Sequence, residues 1–172
     1  AALEAGDFEE FKKLRIFHFV HQFCGTAHFG LGEAVVQAAL ARGLAAKHTS
    51  VDKERDGVDL LAEEPYNTHV AAAKRGEIDG GHAGYPCSSF SRLRFRPMPG
   101  MPGPVRDRQH IYGFPTNNLK QQAEADAGTS MACRSAAWLT EVRDSALSRG
   151  LKPVATLENP PIPDDPSLPS SF

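Results

Sequence analysis

Residues 16–20 (Ile16, Phe17, His18, Phe19, Val20) form a run of aromatic and β-branched side chains, the composition of a strand. A glycine-bearing turn follows, through Gln22, Phe23, Cys24, Gly25 and Thr26 and on to Gly30, Leu31 and Gly32. Beyond it Val36, Ala39, Leu40 and Leu44 recur at helical spacing, which predicts a helix over about 33–47. A second short strand is expected over 48–51, ending at Asp52. This strand–turn–helix–strand order constrains the fold more than any other feature. Two strands joined through a helix lie parallel, with a right-handed crossover.

The rest of the chain continues the alternation. Residues 56–61 read as a further short strand or a turn. Residues 65–75 look helical, with Pro65 near the first turn, and 77–83 should be a strand leading to Pro86 and Cys87. Gly80 and Gly81 weaken that strand assignment. A long connection, 92–118, carries Pro97, Pro99, Pro102, Pro104 and Pro115. Connections of this length are functional or disordered. Residues 119–149 read as one long helix or two, with Met131, Ser135, Trp138, Leu139 and Val142 on the buried face and Gly150 as a C-cap. A last strand is expected over 153–158, followed by a Pro-rich tail. The expected organisation is an N-terminal extension (1–14), one α/β domain with a mainly parallel sheet (15–161) and the tail (162–172).

A length of 172 residues suits a single core, and 41% hydrophobic with 23% charged residues reads as globular. The formal net charge of −2 restricts any nucleic-acid contact to a local patch. Cys24, Cys87 and Cys133 have neither a disulfide framework nor zinc-ligand spacing, which points to a reducing, intracellular setting. No apolar run approaches the ~20 residues of a membrane span. Residues 1–13 are acidic, without a signal-peptide core or an initiator Met, and the chain stops in a Pro/Ser-rich stretch, so a piece of a longer protein is expected.

In parallel α/β sheets ligands bind beyond the carboxyl ends of the strands. Phe23 to Gly25, Asp52, Cys87 and Glu158 all fall at such ends in this reading. Gly25 lets a backbone pass close to a ligand, and Asp52 offers paired acceptors for the two hydroxyls of a ribose. A nucleoside ligand or a dinucleotide fits equally, and so does a turn glycine beside a solvated aspartate. Asp59 reads as a turn residue or as an acceptor for an adenine amino group. Cys87, after Pro86 and before a presumed helix start, sits where a thiolate is stabilised, although free cysteine is commonly a small buried hydrophobe. Glu158 reads as a proton-handling acid or a salt-bridged strand end. Arg92, Arg94, Arg96, Arg106 and Arg108 suggest phosphate contacts or a solvated basic loop. His18, His21, His28, His48, His69, His82 and His110 show no metal pattern and read as structural or exposed; Trp138 and Met131 read as core.

Taken in order, Phe23-x-Gly25, Asp52, Pro86-Cys87-x-x-Phe90-Ser91 and Glu158-Asn159 resemble the motifs of the cytosine-C5 DNA methyltransferases over about 16–161. The resemblance implies a Rossmann-like, S-adenosyl-L-methionine-dependent methyltransferase fold, incomplete at its C-terminus. It implies Cys87 as nucleophile and Glu158 as the acid that holds the cytosine. Phe23, Gly25, Thr26, Asp52, Asp59 and Pro86 would bind the cofactor, and Ser89, Arg92, Arg94, Arg96 and Asn159 the nucleic acid. It implies DNA as partner, with RNA open, no metal and no membrane, and a nuclear location in a eukaryote. The chain departs from the family at Ala27, where a glycine is usual, at Tyr85 and at Pro160, the third position of the Glu-Asn-Val motif. Nothing matches the Gln-x-Arg motif, the target-recognition region or the closing helix. The long loop resembles divergent methyltransferase-like reading frames of mobile elements. Two other readings stand beside this one. Asn159-Pro160-Pro161, followed by Ile162 in place of an aromatic, is similar to the motif of amino-methyltransferases acting on adenine N6 or cytosine N4. The other is a degenerate, non-catalytic nucleic-acid-binding domain.

Overall fold

The computed structural model describes residues 15–25, 30–86, 88–95 and 99–158. Four strands, β1 (Phe17–Gln22), β2 (Ala46–Val51), β3 (Gly80–Ala83) and β4 (Val154–Leu157), form one all-parallel sheet in the order β2-β1-β3-β4. The chain steps from β1 to β2 on one side and then returns past β1 to β3 and β4 on the other. The reversal creates a crevice between the carboxyl ends of β1 and β3, the arrangement of Rossmann-like α/β folds. Among the described residues no helix is long and apolar enough to cross a membrane.

Helix α1 (Leu31–Leu40) lies against β1 and β2. It is shorter than the periodicity over 33–47 suggests. Gly43 takes a left-handed φ of 74°, and the Ala39 carbonyl accepts from Leu44 N at 3.0 Å, so the chain turns into β2 there. Residues 56–61 are not a strand. A one-turn helix, α2 (Lys53–Asp56), ends at Gly57, whose φ of 72° diverts the chain into a turn. Helix α3 (Glu63–Lys74) and helix α4 (Leu119–Ser148) pack together.

Residues 119–149 resolve into one helix of 30 residues. Its start is set by Asn118, whose side chain accepts from Gln121 N at 3.0 Å while Gln121 Oε1 accepts from Asn118 N at 2.9 Å. Gly150, at φ 72°, follows its end.

The core lies between the sheet and the α3–α4 layer, where Val20, Val51, Ala83, Ala73, Trp138 and Val142 meet. The glycines that weaken β3 on paper are what allow it to form. A Cβ on Gly81 would lie 2.6 Å from Trp138 Cη2, and one on Gly80 would lie 3.1 Å from Phe17 Cζ. Bare backbone at these two positions lets a fully buried indole rest on one face of the strand and an aromatic ring on the other. At the amino end of β3 the carboxylate of Asp79 is 3% exposed. It accepts from Arg149 Nη1 at 2.8 Å, from His18 N at 3.0 Å and from Arg15 Nη2.

The long connection is built rather than loose where it is described. Arg106, 1% exposed, donates from Nη1 to Ile111 O and Thr129 Oγ1, both at 2.9 Å, and from Nη2 to Ala125 O. Its guanidinium also stacks 4.2 Å from the Phe90 ring centroid. Asn117 Nδ2 donates to Val105 O at 2.8 Å. These bonds fold residues 105–117 onto α4 and bury an arginine that sequence reading aims at phosphate.

Gly81→Ala should lower the unfolding free energy by about 1–3 kcal/mol, the range for overpacking a rigid core. Urea denaturation measures this; unchanged stability would show that Trp138 does not rest on the strand backbone.

Candidate cofactor cleft at the carboxyl edge of the sheet

β1 ends at Gln22, and the next residue, Phe23, adopts φ 58°. A bulky residue rarely takes this left-handed conformation, and such strain collects at functional turns. Phe23 N donates to Val51 O at 2.7 Å, which holds the turn against the end of β2. Gly25, at φ 67°, donates from its backbone N to Asp52 Oδ2 at 3.0 Å. Asp52 Oδ1 accepts from Glu54 N at 2.9 Å, capping α2. Asp52 therefore ties the two strand ends together, each of its oxygens accepting one bond among the described residues. A Cβ on Gly25 would meet nothing within 4 Å, so this backbone borders open space.

That space is a cleft of about 470 Å³, within the roughly 300–1,000 Å³ of small-molecule sites. Phe23, Gly25, Asp52, Asp59 and Pro86 all line it. These residues come from four separate stretches of chain. Thr26, also expected at the cofactor, lies outside the described residues. Met131, read as core, instead contributes an apolar wall together with Val58 and Leu60. At the end of β1, beside the crevice, the Gln22 side chain is buried, and its Nε2 donor has no partner among the described residues.

Asp59 Oδ2 accepts from Lys53 Nζ at 2.7 Å and Oδ1 from Leu61 N at 2.9 Å. The Lys53 ammonium, then the Leu61 amide, hold its carboxyl below the usual range. Among the described residues, Asp52, Glu54 and Asp59 line the cleft against one cation, Lys53, already tied to Asp59. Glu33 adds a carboxylate at the start of α1, where Oε2 accepts from Gly30 N at 2.9 Å and lowers the Glu33 pKa. A dinucleotide sets its pyrophosphate at this first helix start, using free N–H groups. Here a carboxylate already occupies that end. Glu33 Oε1 also lies 3.2 Å from His48 Nε2.

Glu158 follows β4, with its N donating to Ala83 O at 2.9 Å. Its Oε2 lies 3.8 Å from His82 Nε2, and a Cβ on Gly84 would lie 3.1 Å from that same oxygen. Gly84 also lines the cleft, so its bare backbone lies between the Glu158 carboxylate and that space. Cys87 lies outside the described residues, as do Arg96 and Asn159 and the side chain of Arg92. Two residues expected at nucleic acid face inward. Arg94, its side chain 7% exposed, forks onto Glu124 at 2.7 and 3.1 Å. Ser89 is 4% exposed, and a Cβ on Gly128 would clash with its Oγ, so this turn sits flat on α4. Among the described residues no His, Cys, Asp and Glu group is arranged to hold a metal.

Sequence reading missed the pairing of His21 with His82. They are register partners on β1 and β3, with ring centroids 4.8 Å apart, and His82 Nδ1 lies 2.8 Å from Thr156 Oγ1. The available signal was a histidine one residue from the end of each strand. Burial lowers both pKa values. The neighbouring His82 lowers His21 further, and Glu158 works in the opposite direction on both. Compared with protein-family models, curated proteins and solved structures, the chain matches none.

Ring-proton NMR should find His21 and His82 titrating below the ordinary 6.5. A depressed folded pKa means that the unfolded state binds protons first. The stability these rings contribute is thus present above pH 6.5 and is lost as pH falls through their folded midpoints. Glu158→Gln removes an opposing charge and should lower the His82 midpoint further; a rise would contradict the geometry.

Proposed function

We propose that the chain is a methyltransferase-like domain whose cleft takes S-adenosyl-L-methionine, and whose chemistry is methylation of cytosine at C5 in DNA. The observation that carries this reading is the convergence of Phe23, Gly25, Asp52, Asp59 and Pro86 on one cleft at the sheet reversal. The acidic lining supports a cationic sulfonium nucleoside over a dinucleotide. Asp52 would accept from the ribose hydroxyls and Asp59 from the adenine amino group, with Phe23, Val58 and Leu60 as apolar walls.

When bound, S-adenosyl-L-methionine would supply an electrophilic methyl group, with S-adenosylhomocysteine as the leaving group. The Cys87 thiolate would add to C6 of the cytosine, and the electron pair displaced from the C5–C6 bond makes C5 nucleophilic. Glu158 would hold N3 with its carboxyl proton, drawing charge away from the ring as the thiolate attacks. After C5 is methylated, loss of the C5 proton to a base restores the C5–C6 bond and expels the thiolate. The Glu158 side chain is largely exposed beside Gly84, which supports its access to a base extruded from the duplex. Arg108 is exposed in the long connection and remains a candidate for phosphate, whereas Arg94 and Arg106 serve the fold.

Calorimetry should show saturable binding of S-adenosylmethionine and no measurable binding of NAD. Asp52→Ala should weaken binding about 10–100-fold, the effect of losing charge-assisted hydrogen bonds of ~1.5–3 kcal/mol. Cys87→Ser should abolish covalent trapping on 5-fluorocytosine DNA while sparing any amino-methylation. Folded protein that binds no cofactor would point instead to a degenerate domain.

A further inference from the structure

Arg134, on α4 one turn beyond Met131, does not line the cleft, yet it holds one of its walls. Its Nη1 donates to Leu60 O at 3.0 Å and to Leu61 O at 2.9 Å, and reaches Ala62 O at 3.4 Å. Its Nη2 pairs with Glu63, and its guanidinium lies 4.7 Å from the Tyr66 ring centroid. One planar cation thus gathers consecutive carbonyls at the end of the wall 58–61. The donors of the same turn point back to Asp59: Leu61 N to its Oδ1 at 2.9 Å, and Ala62 N to its carbonyl at 3.0 Å. With its carbonyls fixed from behind and its amides fixed on Asp59, the turn has one geometry. The Asp59 carboxylate is held at the cleft edge.

On the reading that the cleft binds an adenine nucleoside, we infer that Arg134 is a positioning residue that sets its selectivity for adenine. The Asp59 carboxylate itself offers acceptors alone, and the neighbouring Lys53 ammonium is already tied to its Oδ2 at 2.7 Å. An adenine amino group donates to it, whereas the 6-oxo group of hypoxanthine sets lone pairs against a carboxylate. A site built to pair with a donor rejects the analogue that lacks it, provided the acceptor cannot swing away. Arg134 supplies that constraint through several bonds in a fixed plane. A lysine ammonium is a point donor on a flexible stem and cannot hold consecutive carbonyls in the same way.

The test measures affinities of S-adenosylhomocysteine and S-inosylhomocysteine by calorimetry, on the full chain and on Arg134→Gln and Arg134→Lys, with thermal unfolding run alongside. Wild type should prefer the adenine ligand about 10-fold or more. Both variants should cut that preference to about 3-fold or less while binding of the inosine ligand stays within about 2-fold. Glu63→Gln, which leaves the carbonyl contacts in place, should keep the wild-type ratio. Equal weakening of both ligands, with the ratio preserved, would reduce Arg134 to a structural prop and overturn the inference alone. So would a wild type that binds both ligands equally. A wild type that binds neither ligand overturns this inference and the proposed function together. If Arg134→Gln does not fold, Arg134→Lys decides by the same ratio.

Discussion

The contact between the Trp138 indole and the bare backbone of Gly81 is the constraint on which the rest of the molecule depends. A side chain at Gly81 would lift α4 off the sheet. Without one, the largest fully buried side chain in the protein lies flat on β3 and fixes the position of a 30-residue helix. Several elements around the site are seated on that helix. Gly128 seats the Ser89 turn, and Ala125 and Thr129 receive Arg106. Met131 forms a wall of the cleft, and Arg134 gathers the 60–62 carbonyls. Interiors this closely packed transmit displacement rather than absorb it. The helix therefore couples the core to the cleft over most of its length.

Electrostatics divide the two ends of the sheet. At the amino end, Asp79 is buried and satisfied by two guanidinium groups and a backbone amide, so its charge is directed at structure. At the carboxyl end, the carboxylates of Asp52 and Asp59 are only half committed. Among the described residues each oxygen accepts one bond from the protein, which leaves it acceptor capacity. Glu33 occupies the first helix start with negative charge of its own. Burial holds the pKa values of His21 and His82 below the ordinary value, which works against positive charge beside these carboxylates.

Periodicity and strand composition made the α/β class, the parallel sheet and the placing of Asp52 and Glu158 at strand ends legible in advance. Boundaries were harder, because Leu44 keeps the helical spacing of Val36, Ala39 and Leu40 although Gly43 has already turned the chain. Spacing also cannot tell a phosphate-seeking arginine from a structural one. Arg94 and Arg106 look alike in sequence to Arg108, yet Glu124 captures the first and the carbonyls of Ile111 and Ala125 capture the second. Met131 continues the apolar face of α4 and reads as core. Only the approach of the 58–61 wall turns that face into the side of a cleft.

By itself, then, the sequence determined the local alternation of elements, the glycines where left-handed or bare backbone is required, and the chemical character of the residues at the strand ends. These are properties of short windows, in which side-chain size, β-branching and missing Cβ atoms act on neighbouring backbone. Tertiary structure alone decided which of those residues share a cavity, which cations are buried and which donors reach which carbonyls. Such outcomes join positions as far apart as Arg134 and Leu60, or His82 and Thr156. They depend on how helices settle on a sheet, which no short window of sequence contains.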